Sequence, residues 1–402
     1  MASQTPALEL KVPAIETESL ARMGFLAFGL FALGHFFIDL YSSALSAFQP
    51  VLGDKYGLSL TQAGILGGLM VFSSSVMQPA YGYLSDRFHT RLFSALAPAV
   101  AGIFVSSLGL ASSFTWLIVM VLIGGAGVAS FHPQASARAT AGLTANKGRW
   151  MAAFISAGTL GLAIGPTYFS TFLTKVGMAK TYWAAIPGVI VTLFLLAGPD
   201  TTPPPHARHK FDLGPLKRVW KPLTILYFLV FIRSMVQVVY TQFLPLYLHR
   251  ERGFTLPDAS YALTLYLASG AIGGFVGGHM ADRFGGRRII LISMVGCLPC
   301  IALFFLGAGW VSLLGLSLAG LMLLFTLPVN VVMAQDLVPS QAGIVSALMM
   351  GFAWGMAGLI FIPLTGWAAD HITLRYSLAL LGVVPVAGVF LTLKLPKTSG
   401  AR

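Results

Sequence analysis

The chain has 402 residues, of which 56% are apolar and only 9% charged, with a formal net charge of +12. So little charge cannot solvate a soluble globule of this size, so the composition calls for a bilayer as solvent. Cations in excess would suit nucleic acid if they gathered on one soluble face; here they are scattered between apolar spans, and no nucleic-acid partner is expected.

A spanning helix needs about 20 mostly apolar residues, because the hydrocarbon core is about 30 Å thick and a helix rises about 1.5 Å per residue. Hydropathy, punctuated by Gly, Pro and charge, predicts an all-α polytopic membrane protein with twelve such spans. Residues 1–21 form a polar N-terminal segment with Glu9, Glu16 and Glu18 and no basic start leading into a short apolar core. No cleaved signal is therefore expected, and the first span acts as the insertion signal.

The first predicted span, 22–48, carries His35 and Asp39, four residues apart and hence on one helix face. An ionisable side chain near the bilayer centre costs about 2.5 to 3.5 kcal/mol on insertion scales, so it needs a partner, a watery cavity or a function. Asp39 is the only acidic residue well inside a predicted span. The pair reads either as a proton-coupling element or as a hydrogen-bonding contact that packs the bundle.

The second span, 59–84, runs into Gly82-Tyr-Leu-Ser-Asp86-Arg87-Phe-His-Thr-Arg91. After a third span, 92–112, the fourth, 115–138, holds His132, Pro133, Gln134, Ser136 and Arg138. Pro133 frees a backbone carbonyl one turn earlier, and His132 with Ser136 makes a second polar i, i+4 face, suited to substrate or proton relay or to a helix-carbonyl bond. Arg138, near the rim, reads as an anchor. The fifth span, 149–174, contains Gly161-Leu-Ala-Ile-Gly165-Pro166, and a sixth, 180–198, closes the first half. The proline run and mixed charges from Pro199 to Arg218 cannot pack in hydrocarbon, so 199–220 is expected to be an extended linker.

The second half repeats the plan at 221–248, 258–281, 288–308, 311–336, 341–368 and 373–394, so the bundles are 22–198 and 221–395, with a tail at 396–402. Arg233 lies about 18 Å beyond Lys221, near mid-membrane, and Gln237, Tyr240 and Thr241 extend it into a hydrophilic stripe. A guanidinium with paired donors is what a carboxylate, phosphate or phosphonate needs. The competing reading is a bridge to Asp39, which the repeat places level with Met235. Cys297 and Cys300, C-x-x-C around Pro299 in an apolar stretch, read as small packing residues rather than a redox or zinc pair. Asn330 and Gln335 in the tenth span, Tyr266 in the eighth and Trp354 in the eleventh are further candidates for a cavity wall.

After the eighth span comes Gly278-His-Met-Ala-Asp282-Arg283-Phe-Gly-Gly-Arg287-Arg288, so G-x-x-x-D-R-F-x-x-R recurs 196 residues on, which points to duplication of a six-span unit. Asp86 and Asp282 end their helices where the macrodipole is already negative, so each needs an outside partner, a neighbouring helix N-terminus or an Arg. A contact made in one arrangement of the halves and broken in the other would be a latch, built from Gly82, Asp86, Arg87 and Arg91 and from Gly278, Asp282, Arg283 and Arg287. Of the 25 Lys and Arg, six (Lys55, Lys175, Lys180, Arg250, Arg252 and Arg375) fall in one set of loops, Arg233 in a span and the other 18 in the remaining segments. That bias puts both termini and the linker in the cytoplasm, with the protein in the inner membrane.

The duplicated motif resembles the loop motif of the major facilitator superfamily, and the resemblance covers essentially the whole chain. It implies two six-helix bundles around a cavity that opens alternately to either side. Within that superfamily, Gly34 to Pro50 and Ser130 to Ala139 look like the fosmidomycin-resistance efflux proteins, which carry a similar early H-x-x-x-D and an F-H-P-x-x-S-R-like stretch; here one residue is inserted between Ser136 and Arg138. Gly161 to Pro166 resembles the core of the drug/proton antiporter motif, although Thr167, Tyr168, Phe169 and Ser170 follow instead of glycines, and helix packing explains it equally well.

The expectation is a monomeric secondary transporter, a proton-coupled exporter of a small organic anion or antimicrobial such as a fosmidomycin-like phosphonate. Asp39, His35 and His132 would couple protons. Arg233, Gln237, Tyr240, His132, Gln134 and Asn330 would contact substrate. A proton-coupled importer of a small acid or sugar stands as the alternative, as does a non-transporting receptor or scaffold, which would not need Asp39, His132 and Arg233 at membrane depth. No G-x-x-x-x-G-K-S/T loop, paired carboxylates, metal-ligand cluster or nucleophile with its base stands out, so no cofactor, metal or enzymatic activity is expected.

Overall fold

Twelve helices long and apolar enough to cross a membrane follow one another in a computed structural model that describes residues 14–88, 90–141, 143, 147–199 and 213–396. They are α1 (Met23–Tyr56), α2 (Leu60–Ser85), α3 (Leu92–Leu110), α4 (Phe114–Thr140), α5 (Arg149–Val176), α6 (Met178–Ala197), α7 (Trp220–Arg252), α8 (Leu256–Phe284), α9 (Gly286–Leu306), α10 (Gly309–Leu337), α11 (Pro339–Ile372) and α12 (Leu374–Leu393). Successive spans alternate in direction, so α1 begins and α12 ends on one face, here the terminal face, and the other is the distal face. Of the expected linker, residues 200–212 lie outside the described residues, and Leu213–Arg218 is a short helix rather than extended chain. Helix also begins earlier than expected, at Ala14, within the segment read as polar.

Each half builds its own core. One apolar cluster of buried residues comes wholly from α1 to α6, with Phe48, Phe131 and Phe169 sealed inside. Another, around Tyr247, Leu263 and Phe304, comes almost entirely from α7 to α12. Lipid tails are as apolar as these side chains, so close backbone approach decides which helices meet. In the first half that approach is made by α5 against α1: a Cβ on Gly161 would strike the carbonyl oxygen of Phe36, and one on Gly165 that of Leu40. The glycines resembling an export motif therefore have a packing role, fixing α1 to α5.

Helical regularity fails at four places facing the space between the halves. In α1 the helix opens at Ser43 and Ala44, where Ser42 and Ser43 hydroxyls donate to the carbonyls of Asp39 and Leu40; such back-bonding bends helices. In α10 it opens at Phe325 and Thr326, just ahead of Pro328, which has no N–H to return to the preceding turn. Phe72–Val76 of α2 and Ala347–Phe352 of α11 widen into π-helix, a register shift that hydropathy does not encode.

Candidate functional site

A cavity of about 410 Å³ lies between the halves. Its wall includes His35, Asp39 and Ser42 from α1, His132 from α4, and Arg233 and Gln237 from α7. Side chains from α1, α4 and α7 thus border one chamber.

Asp39 uses its two oxygens separately. Its Oδ2 lies 3.3 Å from His35 Nε2 and its Oδ1 lies 3.5 Å from His132 Nε2. His35 is fixed from behind: its Nδ1 is 2.8 Å from the Phe154 carbonyl of α5, and its ring stacks on that of Phe154 at 4.3 Å. A carbonyl only accepts, so Nδ1 carries a proton, and Nε2 can meet the carboxylate favourably only if a second proton lies between them. Two glycines make the arrangement possible. A Cβ on Gly158 would strike both His35 Nε2 and Asp39 Oδ2, and one on Gly34 would sit 2.9 Å from the Phe131 ring.

The three donor atoms fall within 4.8 Å of one another, near enough for a transition metal. A metal, however, would draw both Nε2 atoms and one carboxylate oxygen toward a single point at about 2.0 to 2.2 Å. Here the carboxylate gives one oxygen to each ring, at 3.3 and 3.5 Å.

Across the cavity Arg233 is only 4% exposed. Its Nη1 donates to Gln237 Oε1 at 2.6 Å and its Nη2 to Ser234 Oγ at 3.0 Å, both neutral partners, while its Nε has none. The alternative bridge from Arg233 to Asp39 is not formed, because Asp39 is already held by two imidazoles. A buried guanidinium without a carboxylate is costly unless something supplies the missing charge.

Three expected substrate contacts are absent from the cavity wall. Tyr240 is sealed in the core of the second half, its hydroxyl donating to the Leu378 carbonyl at 3.0 Å. Gln134 turns to the terminal-face loop and donates to the Thr90 carbonyl at 3.0 Å. Asn330 is fully buried, with neither amide atom partnered. A helical stripe specifies a face, but a chamber takes only part of that face, and these three find other burial. Of the weaker candidates Trp354 lines the cavity, whereas Tyr266 and Gln335 do not. Sequence reasoning passed over Ser42, Ser74, Ser75, Gln78 and Gln242, which do line it. The signal was there in the runs Phe72-Ser-Ser-Ser-Val-Met-Gln78 and Tyr41-Ser-Ser-Ala-Leu-Ser46, hydroxyl-rich within apolar spans.

Among the described residues, the hydrogen bonds and ion pairs identified between the two halves all lie on the distal side of the cavity. Asp370 at the end of α11 accepts from the backbone N–H groups of Leu60 and Thr61, each at 2.8 Å, at the start of α2. Arg250 of α7 meets Asp54 of α1 at 2.8 Å, and the Thr167 and Thr264 hydroxyls of α5 and α8 lie 2.8 Å apart. These contacts close the chamber on the distal side.

On the terminal face the repeated motif keeps its symmetry and, among the described residues, makes no hydrogen bond or ion pair between the halves. Arg91 donates to the Leu196 and Gly198 carbonyls at the end of α6, and Arg287 to the Thr392 and Leu393 carbonyls at the end of α12. Gly82 faces Pro133 and Gly278 faces Pro328, each within its own half. Arg87, Arg283 and Asp282 are exposed, and Asp282 has no partner among the described residues; the side chain of Asp86 lies outside them. The partner expected for Asp282 is not found among the described residues.

A family model described as Major Facilitator Superfamily matches residues 31–361 and 226–401. The chain is 26% identical over 396 residues to the fosmidomycin resistance protein of Escherichia coli (strain K12), covering 95% of this chain and 96% of that one. It is 23% identical over 403 residues to a probable sulfoacetate transporter of Cupriavidus necator, covering 90% and 92%. Among solved structures, a bacterial homologue of the human lysosomal transporter Spinster, in an inward-facing and occupied conformation, superimposes with a TM-score of 0.76 at 16% identity, covering 92% of this chain and 96% of that one.

Proposed function

The chain belongs to the major facilitator superfamily and is a multi-pass secondary transporter, and we propose that its cargo is a small organic anion whose movement is linked to protons. The observation that carries this reading is Arg233: a buried guanidinium on the wall of the central cavity with only neutral partners and a free Nε. An anionic headgroup is the missing counter-charge, and Gln237, Ser42 and Gln242 offer further polar contact around it. On the opposite wall the His35–Asp39–His132 cluster is the proton-linked element, because two rings share one carboxylate inside the same chamber. The bias of basic residues supports a cytoplasmic terminal face in an inner membrane, and the closed distal seam then supports an inward-facing conformation.

Export of an antimicrobial such as a phosphonate is supported by the relative named for fosmidomycin resistance, matched along nearly its whole length. Uptake of a small acid is the second reading, favoured by the relative named for sulfoacetate transport. Proteoliposomes under an imposed pH gradient, given a panel of anions that includes phosphonates, test both. Substrate-dependent proton movement lost in Asp39→Asn supports the coupling. Undiminished anion affinity in Arg233→Ala would falsify the anion site.

A further inference from the structure

Four ionisable side chains line the cavity: His35, Asp39, His132 and Arg233. The other lining residues are hydroxyls, amides, methionines, a tryptophan and aliphatic groups. Of the elements around His132, α1 presents His35 and Asp39 and α7 presents Arg233 across the chamber; α3 has no charged residue, and the charges of α2 and α5 stand at or beyond their ends. The charge inside the chamber is therefore set by these four groups.

His35 and Asp39 together are neutral. With His35 Nδ1 committed to the Phe154 carbonyl, one proton must lie between Nε2 and Asp39 Oδ2, and the pair has zero net charge whichever atom holds it. Arg233 adds one positive charge. His132 is the group with room to change: its side chain is 23% exposed against 10% for His35, its Nε2 already stands 3.5 Å from Asp39 Oδ1, and among the described residues its Nδ1 has no partner. With a neutral His132 the empty chamber carries one net positive charge, enough for one negative charge on a ligand. A second would remain uncompensated between protein walls unless His132 took up a proton.

Resting on the reading of Arg233 as the anion site, we infer that His132 is a charge-matching proton site, taking up one proton when the ligand is a dianion and none when it is a monoanion. Binding of a proton and of a dianion then reinforce one another, and by linkage each raises the affinity for the other. Exchange of substrate for protons needs the two to exclude one another. A dianion would therefore cross together with its proton, which favours the uptake reading over export for a dianionic cargo.

The test uses the purified full-length protein and two probes of similar size whose charges do not titrate: ethanesulfonate, a monoanion, and 1,2-ethanedisulfonate, a dianion. Affinity is measured between about pH 5 and pH 8, the range in which a histidine changes charge, together with proton uptake in weakly buffered solution. Ethanesulfonate is expected to bind without proton uptake and with a flat pH profile. Ethanedisulfonate is expected to take up one proton per site, its affinity falling about tenfold for each pH unit on the alkaline side, the linkage of one proton. The His132→Gln protein is expected to lose both the slope and the uptake. Equal pH profiles for the two probes, or no binding of the disulfonate even in acid, overturns the proposal while leaving Arg233 as the anion site. A slope that persists in His132→Gln moves the proton elsewhere and overturns the assignment. Should that variant fail to fold, the proton count on the unaltered protein still decides between one and none. If neither sulfonate binds, or if Arg233→Ala binds both as the parent does, the anion-site reading itself fails.

Discussion

The distal seam and the repeated loops of the terminal face answer the same physical problem in opposite ways. A carboxylate at a helix C-terminus opposes that helix's own dipole and is satisfied only by a donor from elsewhere. On the distal side Asp370 has one, because the first N–H groups of α2, from the other half, point at it. On the terminal side Asp282 occupies the equivalent kind of position at the end of α8 and is exposed without a partner among the described residues, while Arg287 has turned back to cap α12. The kind of pairing sought for the motif carboxylates is thus made by Asp370, a residue outside the motif, on the distal face. A chain that alternates must leave one set of such charges unmet whenever the other is met, and that exchange keeps the two states near in energy.

The contrast is broken most severely through glycine. Where α2 meets α11, a Cβ on Gly64 would lie 2.8 Å from the Ile362 carbonyl oxygen and 3.0 Å from the Pro363 Cα, both backbone atoms that cannot step aside. Gly64→Leu is expected to disfavour distal closure by about 1 to 3 kcal/mol, a shift of roughly 5- to 150-fold toward the distal-open state. With Cys297 and Cys300 replaced by Ala, a cysteine at Ser46, on the cavity wall and 2% exposed, should then react with a membrane-impermeant thiol reagent from the distal face. Unchanged reactivity would show that the seam tolerates a side chain there. Asp370→Asn is the milder form. It keeps the shape and removes the charge from an exposed helix cap, so about 0.3 to 1 kcal/mol, or up to roughly fivefold in the same reactivity, is expected, and screening by salt should shrink it.

Much of this was legible in the letters. Spans follow from apolar runs, and duplication from Gly82 to Arg91 and Gly278 to Arg287. The His35–Asp39 face and Arg233 were visible because a charge within an apolar helix has no bland explanation. Tyr240 and Asn330 lie elsewhere because an amide or phenol can also be buried in a bundle interior, Gln134 because its amide reaches a loop carbonyl, and no local pattern separates these fates from a cavity wall. Ser74 and Ser75 are the converse case: their hydroxyl-rich run is visible, but a serine in a span is usually satisfied by its own helix, and the π-helical turn of α2 that accompanies this run is not encoded in hydropathy. Asp370 stands near the end of a span, where a charge is unremarkable until its partner 310 residues away is known.

The smallest expected effect concerns the pair that most directly records the duplication. Asp54 and Arg250 are 196 residues apart, the same interval that separates the motif copies, so equivalent ends of α1 and α7 meet each other across the approximate two-fold axis. Gly53 makes room, since a Cβ there would lie 2.5 Å from the guanidinium. The two side chains are nevertheless 33% and 67% exposed, and an ion pair in that setting is worth only about 0 to 1 kcal/mol. Asp54→Ala and Arg250→Ala should each change distal reactivity of the Ser46 cysteine by no more than about fivefold, less at high salt. The double exchange Asp54→Arg with Arg250→Asp should restore the parent value, because an axis that relates the two positions presents nearly the same geometry with the charges swapped. If the single variants instead match Gly64→Leu in size, the seam is held by charge rather than by helix packing, and the order of contributions argued for the two faces is reversed.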